Sequence, residues 1–359
     1  MSKKLRVGVI YGGRSPEHDI SVMSAKYIME RMDPQVYEVI PIGITKEGQW
    51  LIAEDVKWVL GELKKKRGAS FEEVTAELPT VSPQTLILLK NHIHVIFPIL
   101  HGPLGEDGVI QGFLEQIDVP YVGCNVLASA LAMDKAATKA VLKAHHIPVV
   151  KWLLLLRSDW ESCPAETIAH VESKIPYPCF VKPANGGSSI GVSKAHGQEE
   201  LKTALTLAAV YDRRILVEEA VEGRELEVGI LGNEDPVASI VGEVVMSGGF
   251  YDYAAKYSDS GAVLQIPAEL PQRTAEKIQA MAIETYVALD CSGLARVDFF
   301  VTRGNKVYVN EVNTMPGFTI NSMYPKLWEA SGIANDELVS RLITLALERY
   351  NAQKRTETE

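Results

Sequence analysis

The sequence is short of cysteine, of long apolar runs and of basic residues, and each shortage excludes a class of protein. The four cysteines lie far apart and form no Cys-x-x-Cys pair, so neither a zinc ribbon nor a disulfide framework is predicted. No segment approaches the roughly 18 consecutive apolar residues of a transmembrane helix, so we expect no membrane role. The net charge of −10 argues against a broad nucleic-acid surface, which needs a basic face.

Two common glycine-rich nucleotide motifs are also missing. Gly186 and Gly191 have the spacing of a Walker A loop, but Val192 stands where that motif needs lysine. No Gly-x-Gly-x-x-Gly occurs, so the dinucleotide-binding fingerprint is absent as well.

The length and composition are those of a globular protein with two or three domains. The chain has 359 residues, of which 47% are hydrophobic and 23% are charged. Its first residues lead into a strand-like run at residue 5, without the apolar region of a signal peptide. We therefore expect a cytoplasmic protein.

Strand-like and helix-like segments alternate through the first third of the chain. The strand-like segments are residues 5–11, 37–44 and 94–100, and the first helix is predicted at 20–32. This rhythm is typical of an α/β domain with a parallel sheet. One helix is predicted over 128–146, and many closely spaced strands follow it, which predicts an antiparallel α+β second half. Residues 54–90 indicate no chemistry.

The segments 295–300 and 307–313 predict a hairpin that carries two carboxylates. If residues 304–305 form a two-residue loop, Asp298 faces Glu311 across the ladder and Arg296 faces Asn313. Because side chains alternate along a strand, all four then project from one face.

Opposed carboxylates repel one another in a sheet unless something neutralises them. Mg²⁺ prefers oxygen ligands and keeps waters and substrate phosphates, so Asp298, Glu311 and the amide of Asn313 suit it. The alternative is a solvated hairpin face with scattered charges. A one-residue slip in the pairing would also send the carboxylates to opposite faces.

A glycine- and serine-rich loop between two strand-like segments is a candidate phosphate site. Residues 184–191 can turn backbone N–H groups toward phosphate oxygens, and Lys182 just before them supplies positive charge. A flexible surface hairpin loop fits the same pattern.

Taken together, these segments resemble the D-alanine:D-alanine ligase family of ATP-grasp ligases, nearly end to end. The resemblance is carried by residues 11–21, 100–108, 133–135, 182–191, 250–257, 295–298 and 310–317. It implies a three-domain ATP-grasp architecture, with an α/β N-terminal domain at 1–125 and α+β ATP-grasp subdomains at 126–220 and 221–359. ATP would lie between two antiparallel sheets, and a loop at about 246–263 would close over the substrates.

The resemblance also implies roles for individual residues. The ATP-binding residues would be Lys135, Lys182, Glu218, Val221, Glu225 and Lys256. The ligands of Mg²⁺ or Mn²⁺, with two ions expected, would be Asp298, Glu311 and Asn313. The first D-alanine would be oriented by Glu17 with Ser188 and Tyr257, near His101. Ser322 would contact the carboxylate of the second substrate, and Arg296 with the N–H of Gly317 would stabilise the oxyanion.

The implied activity is ATP-dependent ligation of two D-alanine molecules through D-alanyl phosphate, giving D-alanyl-D-alanine for peptidoglycan. The alternatives are a sibling that joins D-alanine to D-lactate or D-serine, another ATP-grasp carboxylate:amine ligase, and a catalytically silent nucleotide-binding protein. Residues 43–50 resemble the siblings, whereas Tyr257 favours D-alanine. The silent protein would have gaps among the metal and phosphate positions, and the sequence has none. The family also implies a homodimer, with no nucleic-acid or membrane partner.

Overall fold

The structure, a computed structural model, describes residues 4–52, 92–246 and 262–355. Within these ranges the chain forms three β-sheets with helices packed against them. The strands are β1 Leu5–Gly12, β2 Tyr37–Ile44, β3 Trp50–Ile52, β4 Val95–Ile99, β5 Trp152–Leu156, β6 Cys179–Pro183, β7 Ser193–Ala195, β8 Arg214–Glu219, β9 Gly223–Gly232, β10 Val237–Met246, β11 Ala262–Gln265, β12 Gly293–Thr302 and β13 Val307–Asn313. The helices are α1 His18–Met29, α2 Val109–Gln116, α3 Val126–Met133, α4 Lys135–Ala144, α5 Arg157–Ser162, α6 Pro164–Lys174, α7 Gln198–Tyr211, α8 Gln272–Ala288, α9 Met323–Ala330 and α10 Asn335–Gln353.

The first sheet has the order β3-β2-β1-β4, and β1 pairs in parallel with both β2 and β4, which confirms the predicted α/β domain. Its central strands are buried on both faces, as Val9, Ile10 and Phe97 show. At the end of β1, Gly12 has φ +89°, and a Cβ there would lie 2.2 Å from the carbonyl oxygen of Ile44. Only glycine lets β1 end this close to β2, at the carboxyl end of the parallel strands, from which the chain continues into α1.

The other two sheets are antiparallel, as the strand spacing predicted. One has the order β5-β8-β6-β7, and the other has the order β11-β10-β9-β12-β13. Helix α7 packs on the four-stranded sheet through Leu201 and Leu205. Helices α3, α4 and α8 pack on the five-stranded sheet through Ala128, Leu142 and Ile278. The three sheets fit the expected three-domain architecture.

The helical pattern predicted over 128–146 is confirmed for most of its length, but the structure divides it into α3 and α4 at Asp134. Asp134 has an extended backbone (φ −86°, ψ 100°), and its carboxylate accepts the N–H of Ala137 at 2.9 Å. Aspartate is a favoured N-cap, so it can end one helix and begin the next. The break also lets the N–H of Lys135 donate to the carbonyl of Ala184 at 2.9 Å, which brings the glycine- and serine-rich loop beside α4.

The turn of the β12–β13 hairpin also differs from the prediction. The sequence predicted a two-residue loop at 304–305, but the N–H of Thr302 donates to the carbonyl of Lys306 at 3.0 Å, which leaves a three-residue loop. Within this loop Asn305 has φ +58°, in the left-handed region that asparagine tolerates better than branched residues. The longer loop alone would shift the pairing by one residue and send the carboxylates to opposite faces.

A bulge restores the predicted pairing beyond Asn310. Phe299 pairs with Val309, whereas Asp298 pairs with Glu311, so Asn310 is an extra residue in β13. Asp298 and Glu311 therefore face each other as predicted, although two deviations that cancel produce the pairing.

Several short elements were not predicted. They are α2, α5, α6 and α9 and the strands β3 and β11. The uninformative stretch at 54–90 lies outside the described residues. In the part of the chain that the structure describes, no helix is both long and apolar enough to cross a bilayer.

The turn yields a test of the hairpin geometry. Asn305→Val should destabilise the protein by about 1–2 kcal/mol, because a β-branched side chain is disfavoured in the left-handed region. Asn305→Gly is the matched control and should be at least as stable as the wild type, since glycine adopts this region freely. Thermal unfolding followed by circular dichroism measures both. Equal midpoints for the valine and glycine variants would contradict the three-residue turn.

Candidate active site

A cavity of about 1050 Å³ opens between the sheets, and every predicted site residue that the structure describes lines it. Those residues are Glu17, His101, Lys135, Lys182, Ser188, Glu218, Val221, Glu225, Arg296, Asp298, Glu311, Asn313, Gly317 and Ser322. The predicted closing-loop residues Lys256 and Tyr257 lie outside the described residues. Side chains that are as much as 305 positions apart in sequence therefore meet in one cleft.

The carboxylates of β12 and β13 are held by cations. Arg296 binds Asp298 through two hydrogen bonds of 2.7 Å, one from Nε and one from Nη2. The same Nε lies 2.9 Å from a carboxylate oxygen of Glu227, on the neighbouring strand β9. Burial alone would lower the pKa of Arg296, but Asp298 and Glu227 raise it well above its ordinary value. This guanidinium is therefore a fixed positive charge at the cleft wall.

The oxygen atoms of the side chains on this wall are suitable ligands for a hard divalent cation. Asp298 and Glu311 are directly opposite in the ladder, and the amide nitrogen of Asn313 donates to Asp298 at 3.0 Å. Within the described ranges, no group of three or more histidine, cysteine, aspartate or glutamate side chains is placed to hold a metal. Two carboxylates and an amide would leave positions for phosphate oxygens and water, which is how Mg²⁺ is usually bound.

On the opposite wall, the carboxylate of Glu218 lies between two lysines. Lys182 Nζ is 2.6 Å from one oxygen of Glu218, and Lys139 Nζ is 2.8 Å from the other. Burial would raise the pKa of Glu218, but Lys139 and Lys182 lower it to about 2. Glu218 is therefore ionised, and each of its carboxylate oxygens is paired with one lysine.

The glycine- and serine-rich loop reaches both α4 and the first domain. Lys135 Nζ donates to the carbonyl of Gly186 at 2.7 Å and lies 3.4 Å from a carboxylate oxygen of Glu311. Ser188, whose φ is +52°, donates its hydroxyl proton to Glu17 in a short hydrogen bond. A Cβ on Gly187 would lie 2.9 Å from Glu17 Oε2, so a larger residue here would displace this carboxylate.

Two side chains of the first domain, the half-buried Glu106 and the buried His101, fix the segment before Gly317. The carboxylate of Glu106 accepts the N–H of Met315 at 3.1 Å and the N–H of Gly102 at 2.7 Å. Nδ1 of His101 lies 2.9 Å from the carbonyl oxygen of Met315, and burial lowers the pKa of His101. Both backbone groups of Met315 are thus held, which orients the Gly317 amide two residues later.

On the far side of Gly317, Ser24 Oγ accepts the N–H of Phe318 at 3.2 Å. Ser322 Oγ accepts the N–H of Thr319 at 2.9 Å, and a Cβ on Gly317 would lie 3.0 Å from that oxygen. The segment around Gly317 is therefore fixed on both sides, with its backbone exposed to the cavity.

Three charged residues of this region were not predicted from the sequence: Glu106, Lys139 and Glu227. Glu106 stands within residues 100–108, which carried the resemblance, and Lys139 follows Lys135 by one helical turn. Glu227 follows Glu225 with the period of a strand face. These spacings were available as signals, but they do not reveal a partner that is distant in sequence.

Two models of one protein family match most of the chain. One, described as D-ala D-ala ligase N-terminus, matches residues 6–124. The other, described as D-ala D-ala ligase C-terminus, matches residues 141–344.

Curated relatives and solved structures match over nearly the whole chain. A D-alanine–D-alanine ligase of Geobacillus thermodenitrificans is 46% identical over 98% of this chain and 98% of its own length. A ligase of the same name from Ruminiclostridium cellulolyticum is 47% identical, over 100% of this chain and 99% of its own.

Among solved structures, the D-alanine-D-alanine ligase of Coxiella burnetii has a TM-score of 0.81 and 36% identity, covering 98% of both chains. The VanG D-Ala:D-Ser ligase of Enterococcus faecalis has a TM-score of 0.82 and 32% identity, covering 96% of this chain and 100% of its own.

The half-buried carboxyl group of Glu106 predicts a pH-dependent stability. Burial raises its pKa from 4.5 to about 8, the charge of Glu17 adds to the rise, and the N–H donors of Gly102 and Met315 oppose it. The folded protein binds the Glu106 carboxyl proton more tightly than the unfolded chain does. This difference therefore adds to the free energy of unfolding in full below pH 4.5, and the contribution is lost as the pH rises through about 8.

Wild type should therefore lose stability relative to Glu106→Gln between about pH 5 and pH 8, by at most about 1.4 kcal/mol per pH unit. Thermal unfolding midpoints across this range measure the difference. Glu284→Gln, at an exposed position of α8, is the matched control. A difference between wild type and Glu106→Gln that stays constant with pH would show that Glu106 holds no extra proton.

Proposed function

Because the chain belongs to the D-alanine–D-alanine ligase family, we propose that it joins two D-alanine molecules into D-alanyl-D-alanine in an ATP-dependent reaction through D-alanyl phosphate. One observation carries this proposal. The residues that the family resemblance assigns to nucleotide, metal and both substrates all line one cavity, wherever the structure describes them.

The chemistry explains why a ligase needs ATP at this site. An amine attacks a carboxylate too slowly, because the carboxylate carbonyl is electron-rich and its oxygen is a poor leaving group. Transfer of the γ-phosphoryl group to the carboxylate of the first D-alanine gives an acyl phosphate, from which phosphate can leave. Lys135 and Lys182 line the cavity and would neutralise charge on the phosphate oxygens during that transfer.

Glu17 is the proposed partner of the first D-alanine's ammonium group. Its carboxylate lies in the cavity and accepts the hydroxyl proton of Ser188, which restricts its orientation. A fixed negative charge here would hold the ammonium and turn the substrate carboxylate toward the phosphate side. Tyr257, outside the described residues, would close over the same substrate.

Arg296 and the N–H of Gly317 are the proposed donors to the oxyanion of the second step. In that step the amine of the second D-alanine attacks the acyl phosphate, and negative charge develops on the carbonyl oxygen. The bonds from Arg296 to Asp298 and the hydrogen bonds around Met315 fix both donors before the reaction. Loss of one such donor typically costs about 3 kcal/mol of barrier. Ser322, also in the cavity, would hold the carboxylate of the second D-alanine.

Asp298, Glu311 and Asn313 are the residues that would hold the divalent cation, which we propose to be Mg²⁺ or Mn²⁺, with two ions in all. When bound, a dication supplies positive charge that stabilises the phosphates. Glu218 and the backbone at Val221 would bind the adenine, Glu225 would bind the ribose, and Lys256 would reach the nucleotide from the closing loop.

The remaining proposals follow from the family resemblance. We propose domain limits at 1–125, 126–220 and 221–359. We also propose a homodimer that works in the cytoplasm, where ATP is available. Residues 247–261, which include most of the proposed closing loop, lie outside the described residues.

The proposed reaction is tested with purified protein, ATP, Mg²⁺ and D-alanine. Phosphate release should accompany formation of the dipeptide in equal amounts, and L-alanine should give almost none, because with its ammonium and carboxylate held as proposed its methyl group would point in a different direction. Equal turnover of both enantiomers would rule out the proposal. D-Serine and D-lactate, each competed against D-alanine, test the sibling activities, and a mixed product with either in excess would favour that sibling.

Removal of one carboxylate tests the metal site. Glu311→Gln should raise the Mg²⁺ concentration for half-maximal activity by about tenfold or more, because the amide has lost the charge that attracts a dication. The control is Glu329→Gln, at an exposed position of α9, which should leave that concentration unchanged. An unaltered Mg²⁺ requirement in Glu311→Gln would show that Glu311 is not a ligand.

A further inference from the structure

Lys139 is a buried cation beside the cleft that takes no part in the mechanism above. It lies on α4, one turn after Lys135, and its side chain is 1% exposed. It does not line the cavity, whereas Lys135, Lys182 and Glu218 do. Any effect of Lys139 on a ligand must therefore pass through the groups that it contacts.

One of those groups is the carboxylate of Glu218. Lys139 Nζ is 2.8 Å from one oxygen, and Lys182 Nζ is 2.6 Å from the other. Burial lowers the pKa of Lys139, and the negative charge of Glu218, in ion-pair contact with it, opposes this decrease. The two ammonium groups and one carboxylate together carry one net positive charge. With Lys182 alone, the carboxylate would cancel the charge that faces the cavity.

The other group is the carbonyl oxygen of Asn310, which accepts a hydrogen bond from Lys139 Nζ at 3.3 Å. Asn310 is the extra residue of the bulge that aligns Asp298 with Glu311. Lys139 thus joins β8, which carries Glu218, to β13, which carries the proposed metal ligands. These strands belong to the two antiparallel sheets on either side of the cleft.

We propose that Lys139 is a positioning residue for nucleotide binding. It balances the charge of Glu218 so that the ammonium group of Lys182 stays available to ATP phosphates, and it ties the proposed adenine-binding strand to the bulge of the metal hairpin. This inference rests on the proposed function only in taking ATP as the nucleotide.

The test compares Lys139→Met with wild type, first in binding and then in turnover. Titration calorimetry with ADP and Mg²⁺ gives the dissociation constant without catalysis. Lys139→Met should raise this constant and the KM for ATP about tenfold or more, because one partner of a buried charge cluster is lost. The KM for D-alanine should stay within about twofold, since the substrate residues have other supports. Lys143→Met, at an exposed position of the same helix, should match wild type.

Two further variants separate charge from packing. Lys139→Gln keeps a donor without the charge and should bind ADP as weakly as Lys139→Met, and it replaces that variant if the methionine protein does not fold. Lys139→Arg keeps the charge and should recover most of the affinity. An unchanged ADP affinity in the neutral variants, or equal losses in the arginine and neutral variants, would overturn the proposal. Wild-type protein that binds ADP but forms no dipeptide would instead count against the proposed function.

Discussion

Two carboxylates that face each other across a β-ladder constrain the whole cleft. Asp298 and Glu311 occupy such a pair, and without neighbouring cations their repulsion would destabilise the hairpin. Arg296 binds Asp298 through both oxygens, while Lys135 approaches Glu311 from the start of α4. The position of α4 is therefore linked electrostatically to the pairing of β12 with β13, and through Gly186 to the glycine- and serine-rich loop. Without the two opposed carboxylates, Arg296 and Lys135 would lose the ion pairs that hold them beside the hairpin.

Much of the cleft could be predicted because its parts are short segments that are contiguous in sequence. The alternation of strands predicted the parallel sheet around β1 and the antiparallel sheets that follow. The hairpin pairing of Asp298 with Glu311 was also predicted correctly, but it depended on two local errors that cancel. A three-residue turn shifts the pairing by one, and the bulge at Asn310 shifts it back. Neither deviation leaves a clear mark on the alternation pattern.

Other parts could not be predicted, because their causes lie far apart in sequence. Asp134 could have been recognised as an N-cap, but the reason that the chain breaks there is its contact with the loop at Ala184 and Asn185. Glu106 accepts a hydrogen bond from Met315, which is 209 residues away, and Lys139 contacts Glu218 and Asn310. Sequence spacing can place a charged residue on a helix or loop, but only the fold shows whether it meets water, a ligand or another charge.

The balance of charges in the cleft also bears on how a chain of net charge −10 would bind ATP as proposed. The overall charge acts over long distances and is screened by salt, whereas the lysines of the cavity act at contact. Two of them already have carboxylate partners, Lys135 with Glu311 and Lys182 with Glu218. A phosphate group that binds here would have to compete with these carboxylates for the lysines. The carboxylates thus fix the ammonium groups in position but lower the affinity for phosphate. At Lys182 the competition is weaker, because Glu218 shares its charge with a second lysine that the ligand cannot reach. In the proposed role, a buried cation favours anion binding without contacting the anion, because it weakens the attraction of the Glu218 carboxylate for Lys182, the proposed phosphate ligand.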